Sequence, residues 1–595
     1  MTNYSDMINS VVIHDAVRRQ WLHFGAPQQI ISAHRMEKVM PALKTIEEQV
    51  YRHGLYAAGF IAYEAAAAFD SALAVKEDGL FPLLWFGIYG KPEQISLPTT
   101  APSIQDLPRT WTPSVTRAEY EHAISRIKHY IEAGDTYQVN FTVRLRSPFR
   151  GDPWSYFIEL ARAQDASYGA FVNTKDWIIC SASPELFFQL DGDELISRPM
   201  KGTASRGMML NDDLQKAEWL HHSEKNRAEN VMIVDMVRND MGRIAHTGSV
   251  HVSKLYEVEK YPTLWQMTST VRAETGAGLR AIMQALFPPA SITGAPKRRT
   301  MEIIAELEQT PRRIYTGSVG FMRPDRKAQF NVAIRTVLID KATSQAEYGV
   351  GGGIVWDSVD KMEFEECQTK ARIITQRVPD FSLLETILWT PEEGYFLLPY
   401  HRARLMDSAA YFSFSADRDA ISTKLVSLAH TLPKTAHKVR LLLAKDGGIT
   451  LQAEALGEAA ALPLHVCLAP TPIDSANPFL YHKTTNRVVY EQALSACPGY
   501  ADVLLWNEKG EVTESSIANI VVELDSGLYT PPIPCGLLPG TYRAYLLEQG
   551  KVRERVIRKE DLARSAHIYL VNSVRKEREV VVDLERVEEN SVARW

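Results

Sequence analysis

The stretch Arg198-Pro199-Met200-Lys201-Gly202-Thr203 constrains this chain most. Two strand-like apolar runs lead into it: Trp177-Ile178-Ile179-Cys180-Ser181 and, beyond Ser183-Pro184-Glu185, residues 186–190. Gly202 and nearby Gly207 mark a turn, which excludes a helix across the segment. A lysine in that setting sits at a strand end and can face a cleft. An isolated lysine is ordinarily a solvated surface cation. What singles out Lys201 is the carboxylate-rich company supplied by the rest of the first half.

Composition narrows the field. A length of 595 residues predicts about three to five domain-sized units. Hydrophobic content of 45% and charged content of 23% belong to globular proteins. A net charge of −6 lacks the basic excess of nucleic-acid binders, so no nucleic-acid partner is expected. The five cysteines, 180, 367, 467, 497 and 535, are scattered without a CxxC pair. Neither a zinc knuckle nor a disulfide framework is therefore expected, which fits a reducing, cytoplasmic location. The first 25 residues carry no apolar signal core, and the apolar run 57–68 holds Glu64 and is too short to span a bilayer. No membrane association is expected.

Residues 1–112 read as a supporting layer of short strands and helices without chemistry of their own. A helix is predicted over 41–51 with Pro41 in its first turn, and strands over 55–63 and 83–88. The proline-rich stretch 98–113 reads as a surface linker. Thr116 and Glu119 form a capping box for a helix carrying Tyr120, Ile124, Ile127 and Ile131. Ala133-Gly134-Asp135 ends it, and a strand with Gln138 lining a cleft follows. Further on, Glu229 projects from the same helical side as Ile233 and Val237, near the helix start. Thr293-Gly294-Ala295-Pro296-Lys297 precedes a helix over 298–308, an arrangement suited to an anion. Residues 315–320 and 330–336 read as strands, and Arg335, if buried there, needs an anionic partner such as a substrate carboxylate. Residues 348–353 read as a glycine-dense loop without a full GxGxxG, and the strand-like Ile354-Val355-Trp356 after them fails the test for a dinucleotide fold. Glu363 and Glu366 then share one helical face. Hard oxygen donors of this kind suit Mg²⁺, with Glu229 completing the set.

In this order, Gly134-Asp135 with Gln138-Val139-Asn140, Ser183-Pro184-Glu185, the Lys201 motif, Ala228-Glu229-Asn230 with Arg238-Asn239-Asp240, Thr293 to Lys297 and residues 351–366 resemble the chorismate-utilising enzymes. The resemblance runs over 115–376. It implies an α+β fold: two facing, mostly antiparallel sheets, a β-sandwich flanked by helices. It also implies Mg²⁺ on Glu229, Glu363 and Glu366, with Gln138, Thr203, Thr293, Gly294, Tyr315, Arg335, Gly351 and Gly352 around chorismate. Lys201 separates the subfamilies. Anthranilate synthases carry a small residue there, whereas component I of aminodeoxychorismate synthase carries lysine. A neutral Lys201 amine would add to the ring, and Glu185 would act as general acid for the departing hydroxyl. Many members have a histidine where Gln266 stands, so no role of that histidine transfers. The chain shows no Gly-x-Cys-x-Gly elbow, so ammonia is expected from a separate glutamine amidotransferase subunit.

After a junction over 372–381, a second pattern runs from 381 to 595. It offers a strand at 383–387, a helix opening at Tyr400-His401-Arg402-Ala403-Arg404, then His482-Lys483-Thr484-Thr485, Glu514-Ser515-Ser516, and Gly536 to Arg543. A lysine, a carboxylate, an arginine and a glycine-flanked helix start are the parts of a pyridoxal 5'-phosphate site. Together and in order they resemble the fold type IV pyridoxal phosphate enzymes, again an α+β fold. The resemblance makes Lys483 the cofactor-binding lysine and Glu514 the partner of the pyridine nitrogen. Arg404, the Thr541 and Tyr542 amides, and Ser573 would hold the phosphate, and a homodimer through this half is implied. The motifs do not separate aminodeoxychorismate lyase from aminotransferases. The fusion favours the lyase, because the first half would make its substrate. The chain thus reads as a synthase over 1–376, with 1–112 as support and 115–376 catalytic, joined to a lyase over 381–595 that yields 4-aminobenzoate. The alternatives are an anthranilate synthase-like component fused to a branched-chain or D-amino-acid aminotransferase, and a non-catalytic scaffold for an amidotransferase.

Overall fold

Strands of the first half are apolar at consecutive rather than alternate positions: Ile178-Ile179-Cys180 and Val337-Leu338-Ile339 are all buried. Neighbouring strand residues point to opposite faces, so such a run must be covered on both sides. The computed structural model describes residues 3–77, 79–98, 108, 110–372, 374, 379–457 and 463–584. Residues 1–205 and 217–378 form one unit built on two ten-stranded antiparallel sheets. Ile179 and Leu338 enter an interior that also takes Val11 from their own sheet and Phe60 and Phe321 from the other. Ile178, Cys180, Val337 and Ile339 instead face the helices Arg117–Glu132, Pro153–Gln164 and Lys297–Leu307. The second sheet is covered likewise by Met36–His53, Glu224–Gly242 and Leu279–Leu286. This is the expected two-sheet antiparallel sandwich flanked by helices.

Local signals account for several element ends. Thr116 accepts from the Glu119 amide at 3.3 Å while the Glu119 carboxylate accepts from the Thr116 amide at 2.7 Å, closing the predicted capping box. The helix around Pro41 begins at Met36, so Pro41 lies inside it rather than in its first turn. Val39, Leu43, Ile46 and Val50 form one buried face, and burial of Val39 carries the helix past the proline. The glycine tract read as a loop belongs to the strand Gln345–Ile354, paired with Gln138–Pro148 so that Gly351 faces Thr142 and Gly353 faces Asn140. These glycines serve close approach. A Cβ on Gly349 would stand 2.1 Å from the Tyr315 ring, and one on Gly351 would stand 2.2 Å from the Phe141 carbonyl. Lys201 likewise lies within a strand, Met200–Ser205, not in a turn. Gly202, at φ 95°, absorbs a register shift against Leu264–Glu274. Arg335 is not in a strand. It sits between Lys327–Asn331 and Thr336–Asp340 at φ 51°. Tyr315 precedes the strand Ser318–Arg323. Most of the expected linker at 98–113 and half of the junction at 372–381 lie outside the described residues.

Residues 206–216 and 379–595 form the second unit, so the chain makes two units where length suggested three to five. One sandwich absorbs most of the first half, because its two sheets share a single interior. The second unit holds a four-stranded antiparallel sheet and an eight-stranded mixed one, in which Leu464–Leu468 runs parallel to both Asp502–Trp506 and Lys576–Asp583. The segment 206–216 joins this unit through Arg206, whose guanidinium lies 4.4 Å from the Tyr411 ring centroid. The Tyr411 hydroxyl donates to the Gly207 carbonyl at 2.7 Å. Cys467 and Cys497 are joined as a disulfide across 30 residues of sequence, against the expectation of none. They meet because the strand Leu464–Leu468 and the end of the helix Val488–Ser495 pack together, a proximity that spacing alone does not encode. Cys180, Cys367 and Cys535 are free and buried. No helix among the described residues is long and apolar enough to cross a membrane.

Candidate active sites

The pairing of Gln138–Pro148 with the glycine strand builds the first site. A Cβ on Gly353 would lie 2.1 Å from Gln138 Nε2 and 2.8 Å from Lys201 Nζ, so the amide and the amine converge over that glycine. Gln138 is 1% exposed, and neither of its amide heavy atoms has a hydrogen-bond partner among the described residues. Leaving such a group unpaired costs about 1–3 kcal/mol, which marks it as a ligand-facing group. Burial lowers the Lys201 pKa below the ordinary lysine value; Glu229 opposes this and Lys370 adds to it. Glu185 is buried, and burial pushes its carboxyl up to about 7. Ser291 Oγ donates to Glu185 Oε1 at 2.6 Å, and the Met200 amide donates to the same oxygen at 3.4 Å. Glu185 also lies in the electrostatic field of Lys201 and Arg335.

The other expected contacts divide. Arg335 donates to Gln164 Oε1 at 2.7 Å and lies 5.5 Å from the Tyr261 ring, with no carboxylate at ion-pair distance among the described residues. Burial lowers its pKa, so it retains the need for an anion that the sequence suggested. Tyr315 is buried against Gly349, 5.2 Å from the Arg144 guanidinium. That arginine belongs to a buried Arg144–Glu308–Arg312 cluster, with contacts of 3.1 and 2.6 Å, which the sequence reading missed. Gly294, at φ 142°, lets the chain pass Gln138, whose carbonyl would be 2.0 Å from a Cβ there. Thr203 is exposed and bonds Gln266 at 3.2 Å, while Thr293 turns to the Pro289 and Ala290 carbonyls.

Glu229, Glu363 and Glu366 provide the hard oxygen donors expected for Mg²⁺. Among the described residues, however, no three His, Cys, Asp or Glu side chains are gathered as a metal would need. Glu366 lies in the field of both other carboxylates, but Lys370, four residues on, pairs with it at 2.7 Å. Burial would raise Glu366; Lys370 outweighs that and holds it below the usual range. Lys370 also donates to the Gly351 carbonyl at 2.9 Å. A Cβ on Gly352 would touch Glu363 at 3.4 Å, so the glycine strand and this acidic helix face each other. Lys370 was missed, although its i,i+4 spacing from Glu366 was a readable signal.

The second site is a cleft of about 480 Å³ lined by Arg404, Lys483, Glu514, Thr541 and Ser573 among others. Burial, helped by Arg404, brings the Lys483 ammonium down to about 8. Burial pushes Glu514 up to about 7, against hydrogen bonds from Tyr490 Oη at 2.8 Å and the Leu538 amide at 3.1 Å; Asn519 also donates to it at 3.1 Å. Arg404 is held by Glu385 at 2.6 Å, and His401 Nδ1 meets the same carboxylate at 2.6 Å. Against burial, which alone would raise it, Arg404 and His401 hold Glu385 at about 2. Thr541 opens the helix Thr541–Glu548 behind Gly540, where a Cβ would strike Asn519 at 1.8 Å. Tyr542 sends its hydroxyl to Glu577 at 3.1 Å, so at that helix start it offers only its amide. Ser573 Oγ bonds the Thr386 carbonyl at 3.4 Å. Glu385, His401 and Tyr490 had no sequence signal, because their partners lie on other elements.

Comparison with known proteins bears on each half of the chain. Residues 382–581 match the class IV amino-transferases, which implies pyridoxal 5'-phosphate as the cofactor of the second unit. Aminodeoxychorismate synthase component 1 of Salmonella typhimurium is 41% identical over 273 residues, covering 45% of this chain and 59% of that protein. Anthranilate synthase component 1 1 of Haloarcula marismortui is 37% identical over 303 residues, covering 49% and 62%. The chain thus spans less than two thirds of the length of these curated relatives. The crystal structure of anthranilate synthase component I from Streptococcus pneumoniae matches with a TM-score of 0.52 at 23% identity, covering 62% of this chain and 92% of that one, a likeness of fold. Since residues 10–376, more than half of its length, match the chorismate binding enzymes, the chain belongs to that family.

Proposed function

We propose that the chain makes 4-aminobenzoate in two steps, aminating chorismate in the first unit and releasing pyruvate in the second. The observation that carries this reading is the convergence of Lys201 Nζ and the unpartnered Gln138 amide over Gly353, within the field of a Glu185 carboxyl brought to about 7. The lowered Lys201 pKa favours a neutral amine. Its lone pair attacks ring carbon C2, the ring double bonds shift, and the C4 hydroxyl departs as water with the Glu185 proton. Ammonia then forms a bond at C4 while the C2–N bond breaks, returning Lys201 as the amine. Arg335 holds a substrate carboxylate and Gln138 orients the ring. Among the described residues Glu229, Glu363 and Glu366 are not gathered as a metal would need, but Glu366 lies in the field of the other two, and drawn together they would hold Mg²⁺, which would supply positive charge for the ring carboxylate. A glutamine amidotransferase subunit supplies the ammonia, in keeping with the component 1 names of the relatives.

In the second unit, pyridoxal 5'-phosphate supplies an electron sink once bound. Lys483 would bind the cofactor and would move the α-proton of aminodeoxychorismate. Glu514 would hold the proton on the pyridine nitrogen, and Arg404 and the Thr541 helix start would receive the phosphate. Loss of pyruvate then leaves the aromatic amine. Two full-length variants test the division of labour. Lys201→Ala loses conversion of chorismate but still turns added aminodeoxychorismate into 4-aminobenzoate. Lys483→Ala does the opposite and accumulates aminodeoxychorismate. Unchanged chorismate consumption in the first variant, or unchanged 4-aminobenzoate formation in the second, refutes the assignment.

A further inference from the structure

The cleft of the second unit carries more positive charge than its cofactor accounts for. Arg404 is neutralised by Glu385 at 2.6 Å, and Lys438 by Glu454 at 2.8 Å. Lys483 lies in the field of Glu514. Four lining arginines remain, Arg440, Arg487, Arg575 and Arg578, of which Arg487 donates to the Ser516 carbonyl and lies 4.7 Å from the Tyr490 ring centroid. None of them makes an ion pair among the described residues. Arg575 spends one nitrogen on the Gly457 carbonyl at 2.8 Å. Arg578 makes no side-chain hydrogen bond among the described residues. It lies in the repulsive field of Arg575, with Asp502 as the acid that opposes it. Asp502 spends Oδ1 on the Val503 amide, at 2.8 Å, and on Ser516, at 2.5 Å.

This placement follows from the fold. The hairpin of Ile568–Asn572 and Lys576–Asp583 turns at Ser573, pairs Leu570 with Arg578, and so sets Arg575 and Arg578 on the cleft beside the expected phosphate seat. Their neighbours serve other partners: Glu577 accepts from Tyr542, and Glu579 meets His567 at 2.6 Å. Arg440 comes from the four-stranded sheet, where Val439 and Leu441 bury inward and Arg440 is exposed. Holding two guanidinium groups together is unfavourable unless an anion joins them, and a planar fork suits a carboxylate.

We propose that Arg575 and Arg578, with Arg440 from the other sheet, seat a second carboxylate of the substrate and make this cleft selective for dicarboxylates. The inference rests on the proposed pyridoxal phosphate site. It names the residues that set aminodeoxychorismate, with its ring and side-chain carboxylates, apart from monocarboxylate amino acids.

The test uses the full-length holoprotein. Dissociation constants of isophthalate and benzoate are read from the visible absorbance of the cofactor in the unaltered chain, Arg575→Gln, Arg578→Gln and Arg578→Lys. The unaltered chain should prefer isophthalate by about tenfold or more, the scale of one charged hydrogen-bond pair. Both glutamine variants should lose that preference, and the lysine variant should keep part of it. In parallel, KM for aminodeoxychorismate should rise about tenfold in the glutamine variants with kcat changed far less. Unchanged preference and unchanged KM overturn the proposal. So does loss of the cofactor in all three variants, which would assign both arginines to holding the hairpin and Asp502. If the unaltered chain makes no 4-aminobenzoate, the lyase reading fails, and the isophthalate arm still decides the dicarboxylate seat.

Discussion

Placing one methyl group on Gly353 separates the chemistry of the first site from the stability of its sheet. In Gly353→Ala the new Cβ meets only the ends of two side chains, Gln138 Nε2 at 2.1 Å and Lys201 Nζ at 2.8 Å. Both must retreat by roughly 1 Å to reach ordinary contact, a displacement that costs about 10²-fold in rate, or about 2.7 kcal/mol. Side-chain ends yield easily, so the stability cost should sit at the low end of the ~1–3 kcal/mol range for overpacking. The melting temperature should fall by only about 2–4 °C. Gly351→Ala is the control. Its Cβ meets the Phe141 carbonyl at 2.2 Å and the Thr142 Cα at 2.7 Å, backbone atoms locked in a paired strand. That variant should lose ~3 kcal/mol or more and melt several degrees lower still. The assay follows chorismate consumption with ammonium and Mg²⁺, alongside a thermal scan. Unaltered kcat/KM in Gly353→Ala, or equal destabilisation of the two variants, refutes the reasoning.

Further outcomes follow from the contacts of Glu185, Glu385 and Lys483. Glu185 titrates at about 7, above its ordinary value, so its acid form is present below that pH and kcat/KM for amination should fall as pH rises through about 7. Ser291→Ala removes a donor that favours the charged form and should move that limb to higher pH; an unmoved limb contradicts the assignment. Glu385→Gln leaves Arg404 without its buried carboxylate and should cost ~3–5 kcal/mol in the second unit together with weaker cofactor retention, read by melting and by absorbance. Because folding holds Glu385 at about 2, its stabilisation is present above about pH 4.3 and lost as pH falls towards 2. Lys483 is lowered to about 8, so the rate of cofactor capture by the apoprotein should rise with pH and level off above about 8. Over pH 8 to about 10.4 the unfolded lysine binds the proton that the folded one does not, so this group makes stability rise with pH there.

What could be read from the chain alone was local or carried by motifs. The capping box at Thr116 and Glu119, and the consecutive apolar positions of Ile178 to Cys180, each report a nearby physical cause. The glycine tract shows the limit. Glycines were read as turn formers, whereas Gly349, Gly351 and Gly353 are there because Tyr315, Phe141 and Gln138 press against their strand. Lys201 was found, but its strand setting depends on a register shift at Gly202 that only the partner strand reveals. Arg404 was found without Glu385, since helix and strand meet 19 positions apart in sequence. The Cys467–Cys497 contact and the grouping of residues 206–216 with the second unit are also products of tertiary packing.

The most direct test is product analysis after incubating the purified full-length chain with chorismate, ammonium, Mg²⁺ and pyridoxal 5'-phosphate. Two lysines working in sequence predict 4-aminobenzoate and pyruvate in equal amounts. Anthranilate in place of 4-aminobenzoate, or untouched chorismate, contradicts the account.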